Sequence, residues 1–277
     1  ACKLNIGLLA HTPPASTEQR TETAMSMQGL MQPTPLLISG LIRHAATHHA
    51  GVEIVSCLHG GEQVRSTWRQ VEARARQLAS ALQRHGVARS QRVVTLAWNT
   101  HRHLELYYAV AGMGSVVHTV NPRLFPEQIS YIVNHAEGET LCFDLDFADL
   151  VCQLAPQLAH VKRYVALCRA EQLPALNLPG LCAYEDLLAS GSDDFEWPQL
   201  EENSASAMCY TSGTTGLPKG VMHSHNTQFW ALSTMCTTSD LARGDRYINP
   251  MPMFHVGALT PALGNIFVGT THVLMRA

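Results

Sequence analysis

The stretch ASAMCYTSGTTGLPKGV, Ala205 to Val221, decides how the rest of the chain is read. Ala205 to Tyr210 has the composition of a strand. The twelve residues from Tyr210 to Val221 then bring together four Ser and Thr hydroxyls, three glycines, a proline and one lysine. A strand that runs into such a loop and on into a helix is a recurrent way to hold phosphate. Glycines let backbone N–H groups approach the anion, and a helix N-terminus favours negative charge. Thr211, Ser212, Thr214 and Thr215 add hydroxyl donors, Pro218 stiffens the exit, and Lys219 supplies the compensating charge. A Walker A loop is excluded, because Lys219 stands between Pro218 and Gly220 with no following hydroxyl to hold Mg²⁺. The dinucleotide fingerprint is excluded too, since no glycine lies two residues after Gly213. A ligand-free surface turn is the plain alternative, and so specific a composition between strand and helix speaks against it.

N-terminal to the loop, strand and helix patterns alternate. Leu36 to His49 reads as an amphipathic helix and Val52 to Leu58 as a strand ending at Gly60-Gly61. The clearest helix starts at the cap candidates Ser66 and Thr67, places Trp68, Val71, Ala75, Leu78, Ala79 and Leu82 on one face, and stops at Gly86. Strand Arg92 to Trp98, helix Thr100 to Gly112, strand Val116 to Val120 and helix Glu127 to Ala136, led by Pro126, follow. Strand Thr140 to Phe143, helix Phe147 to Leu158, strand Arg163 to Leu167, a loop to about residue 182 and a short helix near Tyr184 to Leu188 complete this part. C-terminal to the loop, Ser224 caps a helix, Met251 to Phe254 reads as the end of a buried strand, and Val256 to Met275 reads as a buried helix and a strand from His272. Pro261, Gly264 and Asn265 make that last window an unsuitable bilayer span. Strands separated by helices imply crossovers and a parallel or mixed sheet covered on both faces, the α/β class. Residues 1 to 30, rich in Thr, Ser, Gln, Pro and Met, read as a poorly ordered extension, with Met25 or Met27 suited as a start.

Composition narrows the function. The 277 residues are 46% hydrophobic, which is enough for a substantial core. Lys and Arg number 19 against 22 Asp and Glu, with a pI near 6.6, so no electrostatic footprint for nucleic acid or anionic lipid is present. The eight cysteines are scattered without a C-x-x-C pair, the pattern of reduced thiols in a cytoplasmic protein. Histidine pairs such as His101-x-His103 and His223-x-His225 lack partners at zinc-site spacing, so no metal site is expected from them.

The run Tyr210 to Val221 resembles, at every position, the phosphate-binding signature of the adenylate-forming enzymes: acyl-CoA synthetases, luciferases and peptide-synthetase adenylation domains. Asn121-Pro122-Arg123-Leu124, Ile129 to Glu137 and Pro252-Met253-Phe254-His255-Val256-Gly257 resemble the fatty acyl-CoA synthetase branch. The resemblance spans about Pro35 to the last residue. It implies layered sheets flanked by helices, with residues 31 to 277 the N-terminal part of a large AMP-binding domain. Family members continue through a magnesium-binding glutamate, a ribose-binding aspartate, a hinge and a small lid domain carrying a lysine. None of these follows Ala277, and the expectation is therefore a truncated domain, inactive alone.

The implied reaction is ATP-dependent activation of a medium- or long-chain fatty acid through an acyl-adenylate to acyl-CoA, with AMP and pyrophosphate released. Thr211, Ser212, Gly213, Thr214, Thr215 and Gly216 would cradle the polyphosphate of ATP, with Lys219 as charge partner or loop anchor. His255 would lie beside the reacting carboxylate; its spacing alone suits a core histidine bonded to a backbone carbonyl. Mg²⁺ would accompany ATP, and coenzyme A would be the co-substrate. In some long-chain relatives an aromatic gates the acyl tunnel at the position of Leu259, so this chain departs from that pattern. Trp230 and Met235 could line an apolar tunnel or belong to the core. An aryl-CoA ligase, a peptide-synthetase adenylation domain and a non-catalytic nucleotide-binding fragment remain alternatives, and a homodimer stays open.

Overall fold

The computed structural model describes residues 27, 29–211 and 217–276. Two units separate, Ala1–Thr34 and Pro35–Ala277. The described residues of the first form no helix or strand. Otherwise the expectation of a loose extension over residues 1 to 30 falls outside the described residues.

In chain order the second unit contains α1 (Ile38–His48), β1 (Glu53–Cys57), β2 (Gln63–Thr67), α2 (Trp68–Arg84), β3 (Arg92–Leu96), α3 (His101–Gly112) and β4 (Val116–Thr119). It continues with α4 (Pro126–His135), β5 (Thr140–Phe143), α5 (Ala148–Leu154), β6 (Arg163–Ala166), β7 (Leu181–Ala183) and α6 (Tyr184–Ala189). The remaining elements are β8 (Ala205–Thr211), β9 (Lys219–Ser224), α7 (His225–Thr238), β10 (Arg246–Asn249), α8 (Val256–Val268) and β11 (Thr271–Met275). Short polar caps mark several starts. Thr67 Oγ1 accepts from Gln70 N while Gln70 Oε1 accepts from Thr67 N, a reciprocal box that begins α2.

Two sheets form. The larger has the order β7-β6-β5-β3-β4-β8-β9, parallel except for the antiparallel β8–β9 pair. The smaller has the order β10-β11-β1-β2. Side chains of the larger sheet alternate between two cores, as the twofold period of a strand requires. Val93, Val117, Cys142, Val165 and Ala207 join the core that includes α1, α2 and α3, whereas Val94, Leu96, Leu141, Phe143 and Tyr164 join the core of α4 and α5. The α/β reading with both faces covered holds.

Every residue of α3 is buried, including four that can carry charge. The helix tolerates them because Arg102 and Glu105 are paired, while burial keeps the imidazoles of His101 and His103 neutral. Arg74 Nε donates to Glu105 Oε1 at 2.8 Å, Tyr184 Oη donates to Glu105 Oε2 at 2.7 Å, and Arg102 Nε donates to Glu185 Oε1 at 2.8 Å. Removing one member of such a set would strand a charge in the interior.

Three expectations are corrected. The phosphate-type loop does not run straight into a helix: Lys219 to Ser224 form β9, and α7 starts only at His225. Met251 to Phe254 are not a strand end; they lie in the connection from β10 to α8, and β10 is an edge strand whose Ile248 is 54% exposed. Strands β2 and β7, like β9, went unread. The cap at Ser224 is present, its Oγ accepting from Thr227 N at 3.1 Å.

Candidate active site

Strands β3, β4 and β8 are parallel neighbours, so their carboxyl ends share one edge of the larger sheet. In open α/β sheets this edge is where ligands bind. Three segments converge there: the residues after β3, the end of β4, and the end of β8 at Thr211.

Thr211 ends β8 and Lys219 opens β9, and the two are register partners across the antiparallel ladder. Both are exposed. Ser212, Gly213, Thr214, Thr215 and Gly216 lie outside the described residues. The feet of the loop are thus fixed by the hairpin. The N-terminus of α7 begins six residues beyond Lys219, so its dipole does not reach the lysine.

His255 is exposed and occupies the N-cap position of α8, with no side-chain cap bond. The core-histidine reading therefore fails, and the imidazole is free to meet solvent or a ligand. The segment before it is held by two side chains that sequence reasoning missed. Asn99, fully buried after β3, accepts from Met253 N at 2.7 Å through Oδ1. Its Nδ2 donates to the carbonyls of Met251 at 2.8 Å and Asn249 at 3.2 Å. Thr119, at the end of β4, donates through Oγ1 to Phe254 O at 3.3 Å. These bonds fasten residues 249–254 to the carboxyl edge of the sheet and thereby place His255.

An apolar pocket of about 70 Å³ opens between β8, α7, α8 and α3, lined among others by Tyr107, Met208, Cys209, Leu232, Leu259 and Leu263. It reaches Val256, the neighbour of His255, and Cys209, two residues before Thr211. Leu259 does line the space. Trp230, 58% exposed, and Met235 do not. Met235 packs toward Gly264 of α8 instead. Within the pocket wall Cys209 Sγ lies 3.7 Å from His223 Nε2. Burial pushes the thiol of Cys209 up and the imidazole of His223 down, so the pair is neutral. Among the described residues no group of three or more His, Cys, Asp or Glu is placed to hold a metal ion. No helix among them is long and apolar enough to cross a membrane.

A family model described as AMP-binding enzyme matches residues 42–277. Over 250 residues the chain is 45% identical to a medium-chain-fatty-acid–CoA ligase of Ectopseudomonas oleovorans, covering 90% of this chain and 46% of that protein. It is also 45% identical over 251 residues to a 3-methylmercaptopropionyl-CoA ligase of Ruegeria lacuscaerulensis, with the same coverage. A solved Mycobacterium tuberculosis fatty acyl CoA synthetase superposes with a TM-score of 0.75 at 26% identity, over 87% of this chain and 45% of that one. The chain therefore spans about half the length of the curated relatives it matches.

Proposed function

This chain belongs to the AMP-binding enzyme family, and on that premise we propose that it contributes the nucleotide loop and acyl pocket of an AMP-forming acid–thiol ligase. Residues 31–277 are read as part of the large adenylation domain. A carboxylate is a poor acyl donor because oxide is an impossible leaving group. Attack of the carboxylate oxygen on the α-phosphorus of ATP gives an acyl-adenylate and pyrophosphate, and the thiol of coenzyme A then displaces AMP. Catalysis of the first step is mostly alignment and neutralisation of phosphate charge.

One observation supports this reading: Thr211 and Lys219, which flank the Ser, Thr and Gly stretch, pair at the carboxyl edge of the parallel strands, near an apolar pocket that reaches Cys209 and Val256, the neighbour of His255. On this assignment Thr211, Ser212, Gly213, Thr214, Thr215, Gly216 and Lys219 receive the polyphosphate. His255 meets the carboxylate at the pocket mouth, oriented by the Asn99 and Thr119 bonds rather than acting as a general base. Mg²⁺ would ride on the phosphates of ATP and neutralise them further.

The pocket argues for an aliphatic acid. The apolar part of its wall is largely aliphatic, from Ala207, Ala231, Leu232, Val256, Leu259 and Leu263, which favours an alkyl over an aryl acid. The free thiols among the described residues suit a reducing, cytoplasmic setting.

The test is product identification with the protein encoded by the whole gene. It should be incubated with ATP, Mg²⁺, coenzyme A and a series of acids from butyrate to palmitate. Acyl-CoA and AMP should appear with the alkyl acids. Formation of ADP, or a clear preference for benzoate over the alkyl acids, would refute the reading.

A further inference from the structure

Tyr210 is the last residue before Thr211, and its register partner across the ladder is Gly220, the residue after Lys219. A Cβ placed on Gly220 would lie 3.2–3.3 Å from the Tyr210 ring and hydroxyl. The missing side chain is what lets the aromatic ring lie across the exit strand. The same ring meets His118 of β4 at 5.3 Å between centroids. Its hydroxyl is 2.6 Å from Nδ1 of His135, the last residue of α4. His135 is in turn stacked on Tyr131, one turn earlier on that helix, at 5.4 Å and 27°.

One side chain therefore touches both feet of the loop, the central strand β4 and helix α4. The hydrogen bond lies at the surface: His135 is exposed and Tyr210 half-buried. Neither group needs the other in order to be satisfied, since water could serve both, and a surface hydrogen bond adds little to global stability. What the bond does fix is the direction in which β8 delivers Thr211 and β9 delivers Lys219.

We propose that His135 and Tyr210 form a positioning pair for the polyphosphate loop. The pair does not contact nucleotide; it locks the hairpin base so that the loop is preorganised for the anion before it binds. The inference rests on the assignment of this loop to ATP.

The test compares wild type, Tyr210→Phe, His135→Ala, the double variant and His135→Asn in the full-length protein. MgATP and octanoate affinities are measured by calorimetry, and the rate of tryptic cleavage after Lys219 by mass spectrometry. Each single substitution should weaken MgATP binding by about three- to tenfold, the range expected for one net hydrogen bond. The double variant should lose no more than either single, because both remove the same interaction. His135→Asn, which keeps a polar atom near the Nδ1 position, should recover most of the affinity. Octanoate binding and the melting temperature should stay close to wild type, while cleavage after Lys219 accelerates.

Unchanged MgATP affinity and unchanged cleavage in Tyr210→Phe would overturn the proposal. So would losses that multiply in the double variant, or a parallel loss of octanoate binding. Wild type that fails to bind MgATP would overturn the nucleotide assignment itself, with this inference falling alongside it, and the two failures are thus told apart.

Discussion

The side-chain oxygen of Asn99 accepts the backbone N–H of Met253 at 2.7 Å, joining two residues 154 positions apart in the chain. Both are fully buried. With the two carbonyls that Asn99 Nδ2 also reaches, this amide clamps the segment leading to His255 onto the end of β3. Asn99→Ala leaves at least two buried backbone groups without partners, at about 1–3 kcal/mol each. Chemical denaturation should show a loss of about 2–5 kcal/mol, and the affinity for carboxylic acid should fall more than that for MgATP. A loss below about 0.5 kcal/mol would be the size of an ordinary surface substitution and would contradict the clamp.

Acid should destabilise the fold steeply. Burial pushes His101, His118 and His272 down to about 3, and His103 and His225 down to about 4, from an ordinary 6.5. For His225 the geometry agrees, because its Nδ1 accepts Ile38 N at 3.3 Å and needs a free lone pair. These imidazoles stay neutral in the folded protein and take up protons once unfolded. Their contribution is present above pH 6.5 and is lost as pH falls from there toward 4 for His103 and His225 and toward 3 for the other three, by about 1.4 kcal/mol per pH unit for each histidine. Asp144, pushed up to about 6 by burial, works in the opposite direction between pH 6 and 4 and offsets one proton. Unfolding curves at pH 7.5 and 5.5 should therefore differ by several kcal/mol. Equal stability at the two values would show that the histidines are not held neutral.

Lys219 is exposed, and its ammonium makes none of the ion pairs found among the described residues. Lys219→Ala should leave the melting temperature within about a degree or two of wild type, as surface substitutions do. Its effect belongs to the ligand: MgATP affinity should drop about tenfold or more, the scale of a lost charge-assisted contact to phosphate. A melting shift of several degrees with unaltered MgATP binding would assign the lysine to the hairpin alone.

Leu259 is buried in the pocket wall. Leu259→Phe adds volume there, at a packing cost of about 1–3 kcal/mol. The longest acid turned over should become shorter by a few carbons, with the KM for ATP unaltered. An unchanged chain-length profile would place the acyl group somewhere else.

How much of this could be read from the residues alone depended on whether the signal was local. The runs Val116 to Val120 and Thr140 to Phe143 announce buried strands, and the Thr67–Gln70 box announces α2. Lys219 to Ser224 gave no such signal, since most of β9 is exposed and it pairs on one side only, so loop and helix were read as contiguous. Leu181–Ala183 is too short to stand out from its loop. The Ser, Thr and Gly stretch stood out because small residues, hydroxyls and a cation fall together in one continuous run. Asn99, Thr119 and the His135–Tyr210 contact were not legible, because each acquires its meaning from a partner 75 to 154 residues away. His255 was found by motif, and its exposed position at a helix cap emerged only in three dimensions.

The central claim is that a carboxylate oxygen attacks the α-phosphorus of ATP at the edge formed by Thr211, Lys219 and His255. Octanoate carrying heavy oxygen in its carboxylate tests this most directly, using the protein from the whole gene with ATP, Mg²⁺ and coenzyme A. The account predicts that one heavy oxygen is transferred to AMP, since the bridging oxygen stays with phosphorus when the thiol displaces the adenylate. Unlabelled AMP, or label recovered in inorganic phosphate alongside ADP, would contradict it.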